Sequence, residues 1–353
     1  MFAVNFKPYI WSFNSIMQNS FFRFFILITI VTTTVYTTIA QNKFQPYRLI
    51  KTIKIHDSFG WDYLTADDDK RHLFVSHGVK LLVVNMDLDT VIDEVQETNG
   101  IHGIALNYNL SKGFTSNGRA NSISVFNLYN FHLFDTIAID GKNPDAILYD
   151  KFSNKIFTFN GKSKDVTVID PLSMRMDETI DLKSKPEFAV TNNVGNIFVN
   201  MEDKNEIIQI DSKEKKITGS WSIAPGKSPS GLAIDTANKL LFSVCENNLL
   251  VISNYRDNKV VTTFPIGGRP DAVVFDPITK IIYSSNGEGN VTIIQQEAAD
   301  KYTLLQTLIT QKGCRTMMID KRTKKIYLPA AKFEEGKRRI IPNSFEILVY
   351  GNQ

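Results

Sequence analysis

The segment GRPDAVVFDPITKIIYSSNGEGNVTII, Gly268 to Ile294, is the fullest copy of a unit that recurs through most of the chain. Copies begin at Trp61 (WDYLTADDDKRHLFVSHG), Ile101 (IHGIALNYNLSKGFTSNG), Pro144 (PDAILYDKFSNKIFTFNG), Pro186, Pro229, Pro270 and Cys314, seven in all and 40 to 44 residues apart. Each holds two strand-like runs joined by a turn, then a third run such as DVTVID or NVTII. Six add a fourth, as in KVVTTFPI or TLLQTLI. Four short strands at this period read as the blades of a β-propeller. One four-stranded sheet cannot bury both faces alone, whereas seven packed in a ring cover one another. The first run of each unit should then be the innermost strand, apolar on both sides rather than alternating. DAVVFD, GLAID and TMMID have that character.

The seventh unit stops after its third run, SFEILVY (Ser344 to Tyr350), with three residues left. YRLIKTIKI, Tyr47 to Ile55, precedes the first unit and resembles the fourth run of the others. The expected fold is therefore all-β: a seven-bladed β-propeller of four-stranded antiparallel blades, its ring closed by N-terminal strand 47–55 pairing into the last blade. Such closure ties down both termini and removes an exposed sheet edge. It makes residues 41–353 a single domain.

Residues 1–40 read as a secretory signal peptide, with Met17 a candidate start. Arg23 precedes an apolar run from Phe24 to Val31, and Thr38 and Ala40 are small residues suited to a cleavage site before Gln41. The alternative is an uncleaved anchor, although the run is short for a spanning helix. No Cys stands near that site, which argues against a lipid-anchored protein. The reading implies a periplasmic or extracellular monomer with no membrane span after cleavage. Formal net charge is +3, and Lys7 and Arg23 lie in the first forty residues, which hold no acid, so the remainder carries +1. A near-neutral body gives no electrostatic reason to expect nucleic acid or anionic membrane as partner. Cys245 and Cys314 fall in different blades and are expected as free, buried thiols.

One polar column is structural. The inner strand ends in Asp67, Asn107, Asp150, Asn192, Asp235, Asp276 and Asp320, residues that bond local backbone and start a tight turn. The pairs Asn117-Gly118, Asn160-Gly161 and Asn286-Gly287 likewise suit hairpins. Two other columns converge on one mouth of the channel, because the loop before the inner strand and the loop between strands two and three share a face. The first holds Asp62, His102, Asp145, Glu187, Ser230, Asp271 and Arg315; the second holds His77, Asn117, Asn160, Glu202, Glu246 and Asn286. A turn needs none of these charges, so the mouth is the candidate site for a small polar ligand or a protein partner's loop. A solvated rim is the plain alternative.

Blades one to three supply Asp62, His77, His102 and Asp145, a set that could hold a divalent metal as cofactor, although no local spacing motif supports it. The longest loop on this face, AAKFEEGKRRIIPNS from Ala330 to Ser344, carries Lys337, Arg338 and Arg339 and could fold over the mouth as a lid. No nucleophile elbow, Walker loop, dinucleotide fingerprint, HExxH or CxxC is present.

The units WDYLTADDDKRHLFVSHG, HGIALN, GFTSNGRANSISVF, NPDAILYD, PEFAV, VNMEDKNEI, PSGLAID, SSNGEGNVTI and RTMMID together resemble the YncE-like, YVTN-repeat family of seven-bladed β-propellers, secreted or periplasmic bacterial proteins. The resemblance covers about Gly60 to Gly351. It implies a binding or scaffold protein and carries over no catalytic set. Two functions follow as expectations. The first is a secreted binding module using the channel mouth. The alternative is a metal-dependent hydrolase of lactones or esters, with metal on His77, His102 and Asp62 or Asp145, and Glu187 or Asp145 as base.

Overall fold

The computed structural model describes residues 1–3, 44–337 and 339–352. The chain divides into Met1–Gln45 and Pro46–Gln353, and the expected signal peptide lies almost wholly outside the described residues. The second unit is built of seven four-stranded antiparallel sheets. Apart from one 3-10 turn, Tyr108–Leu110, the described elements are all strands.

Blades one to six each use four consecutive strands, beginning with Leu64–Asp67, Ile101–Asn107, Pro144–Asp150, Pro186–Thr191, Pro229–Asp235 and Pro270–Asp276. Blade seven combines Met318–Ile319, Ile326–Ala330 and Glu346–Gly351 with the first strand of the chain, Arg48–Lys54. That strand pairs antiparallel with the last, Arg48 opposite Gly351 and Lys54 opposite Glu346. The expected closure is present.

The core lies between blades. Apolar clusters join blades three and four (Phe157, Val168, Ile197, Ile210), one and two (Phe74, Val83, Phe126), and seven and one (Leu73, Tyr327, Ile347). The second strand of every blade carries one fully buried aromatic in the same column: Phe74, Phe114, Phe157, Phe198, Phe242, Tyr283 and Tyr327. Burying one such ring stabilises by roughly 1.5–3 kcal/mol, and the column repeats it in every blade. The two tyrosines need polar partners. Tyr283 meets the hydroxyl of Tyr47 at 3.0 Å, and Tyr327 donates to Asp89 at 2.6 Å.

The Asp/Asn column caps turns as expected. Lys70 N donates to Asp67 at 2.9 Å, Leu110 N to Asn107 at 3.2 Å, Ser153 N to Asp150 at 2.8 Å and Asn196 N to Asn192 at 3.0 Å. Asn238 N to Asp235, Ile278 N to Asp276 and Arg322 N to Asp320 complete it.

Asp320 has a second task. Arg71 of blade one grips both its oxygens, one at 2.8 Å, across the seam where the ring closes. The Asp320 side chain is fully buried and that of Arg71 is 9% exposed. Burial alone would raise the Asp320 pKa; the bonds from Arg71, Thr323 and two backbone amides outweigh it and hold it at about 2. A depressed carboxylate contributes stability that is present above its unfolded value and lost as pH falls toward 2. Arg71→Met leaves Asp320 buried and unpaired. It should lower unfolding free energy by about 3 kcal/mol in urea titrations at pH 7. Arg322→Met, at an exposed pair on the same seam, should change it little.

Candidate functional site

The mouth residues are aimed by a repeated backbone irregularity. In blades two to six the pairing of the inner strand with the second strand slips at its start. Ile101 pairs with Asn117 and then Ile104 with Thr115; Pro144 pairs with Asn160 and then Ile147 with Thr158. The same slip follows Pro186, Pro229 and Pro270. The extra residue is a β-bulge, which re-aims side chains. His102, Asp145, Glu187, Ser230 and Asp271 all sit in these bulges.

The residue opposite the bulge fastens it. Ser116 Oγ accepts from Gly103 N at 2.8 Å and donates to the Asp145 carbonyl of the next blade. Asn200 donates to the Ser230 and Gly231 carbonyls at 2.9 and 3.1 Å, and Ser285 donates to the Arg315 carbonyl. Thr316 Oγ1 holds the Asp62 carbonyl at 2.8 Å, joining blade seven to blade one. Neighbouring inner strands are therefore stitched just below the side chains of the first column.

One residue deeper, the rings of Tyr63 (blade one) and Phe188 (blade four) meet with centroids 5.1 Å apart. These blades stand on opposite sides of the ring, so the two rings close the channel across its axis. Burial pushes the Tyr63 phenol well up, and the charges of Asp145, Asp62, Asp271 and Glu187 add to it. The mouth is a cup rather than a pore.

Two cavities open on it. The larger, about 790 Å³, is lined by Glu187, Glu202, Ser230, Glu246, Asp271 and Arg315, with Trp61, Arg269, Lys312, Phe333 and Lys337. The smaller, about 500 Å³, is lined by Asp62, His102, Arg119, Asn143 and Gly100, and shares Gly60, Trp61 and Arg315 with the first. Both are off-axis.

The acids are crowded. Desolvation raises Asp145, Glu187 and Asp271 each to about 7; Asp62 and Glu187 add to the effect at Asp145, and Glu202 and Asp271 at Glu187. Arg315 pairs with Asp271 at 3.1 Å and stands 3.9 Å from Asp62, which lowers Asp271 without reversing the rise. Lys185 pairs with Glu202 and lies 3.4 Å from Glu187. Even so, Asp145 Oδ1 is out of solvent with no hydrogen-bond partner, and Glu187 Oε2 is out of solvent with only the Lys185 ammonium at 3.4 Å.

The second column divides. Glu202 and Glu246 line the cup. Asn117, Asn160 and Asn286 are buried within their own hairpins and do not line either cavity. Asn117 donates to Ser122 and Ser124, Asn160 to Asp165 and Thr167, Asn286 to Asn290 and Thr292, at 2.6 to 3.3 Å. Their place one residue before Glu202 and Glu246 in the repeat gives them the opposite direction along the strand. His77 also departs from the expected group. Its ring is fully buried, stacks on Phe345 with centroids 4.0 Å apart, and pairs with Asp57, which also meets Lys80 at 3.3 Å. The metal set is reduced to Asp62, His102 and Asp145.

Sequence reasoning missed Trp61, Phe333, Arg269 and Lys312 in the cup, and Asp57 beside His77. Arg269 had a signal. It precedes the inner-strand proline, and its column adopts left-handed backbone at Asn143, Ser228 and Arg269 (φ 55°, 45° and 54°). The loop Ala330–Ser344 does reach the cup, through Phe333, Lys337 and Ile340. Lys337 and Arg339 meet Glu334 of the same loop, and Arg338 lies outside the described residues. Cys245 and Cys314 are free and buried, each thiol pushed up to about 12 by burial.

The fold and cup define a seven-bladed β-propeller with a closed channel and an acidic mouth. No protein-family model matches the chain. It is 24% identical over 182 residues to antigen Lp49 of Leptospira interrogans, a match covering 49% of this chain and 39% of that protein. The chain thus spans well under half of that relative's length. Among solved structures it is similar to hydrazine synthase of Kuenenia stuttgartiensis, with TM-score 0.70 at 15% identity over 83% of this chain and 96% of that one. The RRP9 WD40 repeats give TM-score 0.70 at 9% identity, covering 86% and 96%. These likenesses show the fold. Among the described residues no helix is long and apolar enough to cross a membrane.

A carboxyl whose pKa is raised on folding keeps a proton that the unfolded chain has already released. Glu187 therefore subtracts stability progressively as pH rises from about 4 toward 7, and by a constant amount above. Glu187→Gln should melt a few degrees higher than the unaltered protein at pH 8 in chelator. At pH 4 the two should melt alike.

Proposed function

We propose that this protein is a secreted binding module of the YncE-like kind, whose cup takes a small polar ligand bearing a positively charged group. The observation that carries the reading is the layering of charge over a closed channel. The deep layer holds Asp62, Asp145, Glu187 and Asp271, four carboxyls against Arg315, His102 and the shared Lys185; the outer layer holds Arg269, Lys312 and Lys337. A ligand amine would sit over the acids, where its charge favours the ionised form that desolvation, and after it the neighbouring carboxylates, disfavour. Trp61 and Phe333, with ring centroids 6.3 Å apart, offer apolar and cation–π contact to the rest of the ligand. A cup of this volume suits a small molecule.

The comparisons with antigen Lp49 and hydrazine synthase supply a fold and no ligand. A hydrolase would need a base beside a bound electrophile, and the cup shows carboxylates without an oxyanion-stabilising pair that the geometry singles out. Binding is therefore the reading the site supports best.

A panel of small amines, amino acids and sugars, screened by thermal shift in chelator and followed by calorimetry, tests it. A saturable amine-bearing ligand is expected. Its affinity should rise as pH is raised through about 7, because Glu187 and Asp271 must ionise to meet a cation. Glu187→Gln combined with Asp271→Asn should weaken it at least ~10-fold. Preference for neutral sugars, or indifference to that double variant, would reject the acidic layer as the binding surface. Secretion is tested separately. N-terminal sequencing of the mature protein should begin at Gln41, and a chain retaining residues 1–40 would overturn this assignment.

A further inference from the structure

At the smaller cavity, which Asp62 and His102 line, three side chains bring donor atoms together. His102 Nδ1 lies 2.5 Å from Asp62 Oδ2 and 3.8 Å from Asp145 Oδ1, and all three donor atoms fall within 4.8 Å of one another. Donors held 2.0–2.2 Å from a tetrahedral zinc-like ion stand roughly 3.3 Å apart. The observed spacings bracket that value, so side-chain shifts of about half to one ångström would bring His102 into register with both carboxylates. The three residues come from blades one, two and three, and their backbones are fixed. Thr316 holds the Asp62 carbonyl, and Ser116 links Gly103 N to the Asp145 carbonyl.

We propose that Asp62, His102 and Asp145 form a mononuclear site for a divalent transition metal of the zinc class, with open coordination positions toward the smaller cavity. Two carboxylates and a neutral imidazole bring a charge of −2 to the ion. One nitrogen and two oxygens suit a borderline cation such as zinc, manganese, iron or cobalt. An independent observation points to a missing partner. Asp145 Oδ1, one of the three donor atoms, is out of solvent and accepts no hydrogen bond.

A second observation concerns His102. A Cβ on Gly118 would lie 2.6 Å from His102 Nε2 and 2.9 Å from Asn143 Oδ1. The imidazole occupies the space the glycine leaves, so its Nδ1 edge turns toward the carboxylates. Gly118 does not have left-handed φ, so an alanine there is opposed by space alone. His77, which lies against Asp57 and Phe345, takes no part.

This site shares Asp62, His102 and Asp145 with the deep layer of the cup, whereas the amine-binding reading turns on Glu187 and Asp271, which the metal would not use. The test is cobalt(II) titration of the full chain, purified without affinity metal and stripped with chelator. One equivalent of cobalt should bind with a visible d–d spectrum and be displaced by zinc. His102→Gln and Asp145→Asn should each lose at least ~100-fold in affinity, the upper end of what losing a mere outer partner costs. Gly118→Ala, which replaces no ligand residue but crowds the His102 ring, should weaken cobalt and alter its spectrum. Glu202→Gln, a cup residue outside the set, should leave both unchanged. Thermal melting of each variant separates loss of metal from loss of fold. Absence of saturable one-to-one cobalt binding would overturn the metal site, as would binding indifferent to folded His102→Gln, Asp145→Asn and Gly118→Ala. Amine binding by the stripped protein in the same preparation would then leave the cup reading standing.

Discussion

Blade-on-blade packing is the interaction from which the rest of this structure follows, because each sheet has two apolar faces and no way to cover them except with its neighbours. The buried aromatic in every second strand, from Phe74 round to Tyr327, marks that dependence in each unit. It also explains why the chain spends its first strand on the last blade. An open ring would leave the clusters around Leu73, Tyr327 and Ile347 half covered and the strand Glu346–Gly351 without an outer partner. At that seam the apolar contact is joined by the buried pair of Arg71 with Asp320, and by Lys325 and Tyr327 on Asp89. Burying such ions is costly, and their geometry specifies which blade meets which.

A ring held together by its sides leaves its ends free for polar residues, and this protein uses one end unevenly. The bulge at the start of the inner strand occurs in five blades, yet what it presents changes from His102 to Asp145, Glu187, Ser230 and Asp271. The backbone repeats while the chemistry does not. The stitches from Ser116, Asn200, Ser285 and Thr316 keep those side chains at close quarters, where desolvation, and after it the neighbouring carboxyls, raise the pKa of Asp145, Glu187 and Asp271. Tyr63 and Phe188 then remove the exit through the channel. The acids are concentrated at the mouth of a cup whose floor is two aromatic rings.

Similar propellers in hydrazine synthase and the RRP9 WD40 repeats share this architecture at 15% and 9% identity. Sequence can drift that far because inter-blade packing asks for apolar residues at a period and little more. Function is carried by the site rather than by the fold.

By itself the sequence determined the number of blades, the order of strands, the partner of strand 47–55, the turn-capping role of Asp67 and its equivalents, and the face on which Asp62, His102, Asp145, Glu187, Asp271 and Arg315 gather. All of these follow from a period, from strand direction, or from local hydrogen bonding between residues close in the chain. It did not determine which polar residues of the second column reach the mouth. One residue along a strand reverses a side chain, so Asn117, Asn160 and Asn286 turned into their hairpins while Glu202 and Glu246 reached the cup. Nor did it separate His77 from His102, because the Phe345 that stacks on His77 is brought there from the far end of the chain. The closure of the channel by Tyr63 and Phe188, and the narrowing of four candidate metal ligands to three, were decided by tertiary structure alone. Both depend on distances across the ring, which no local pattern encodes.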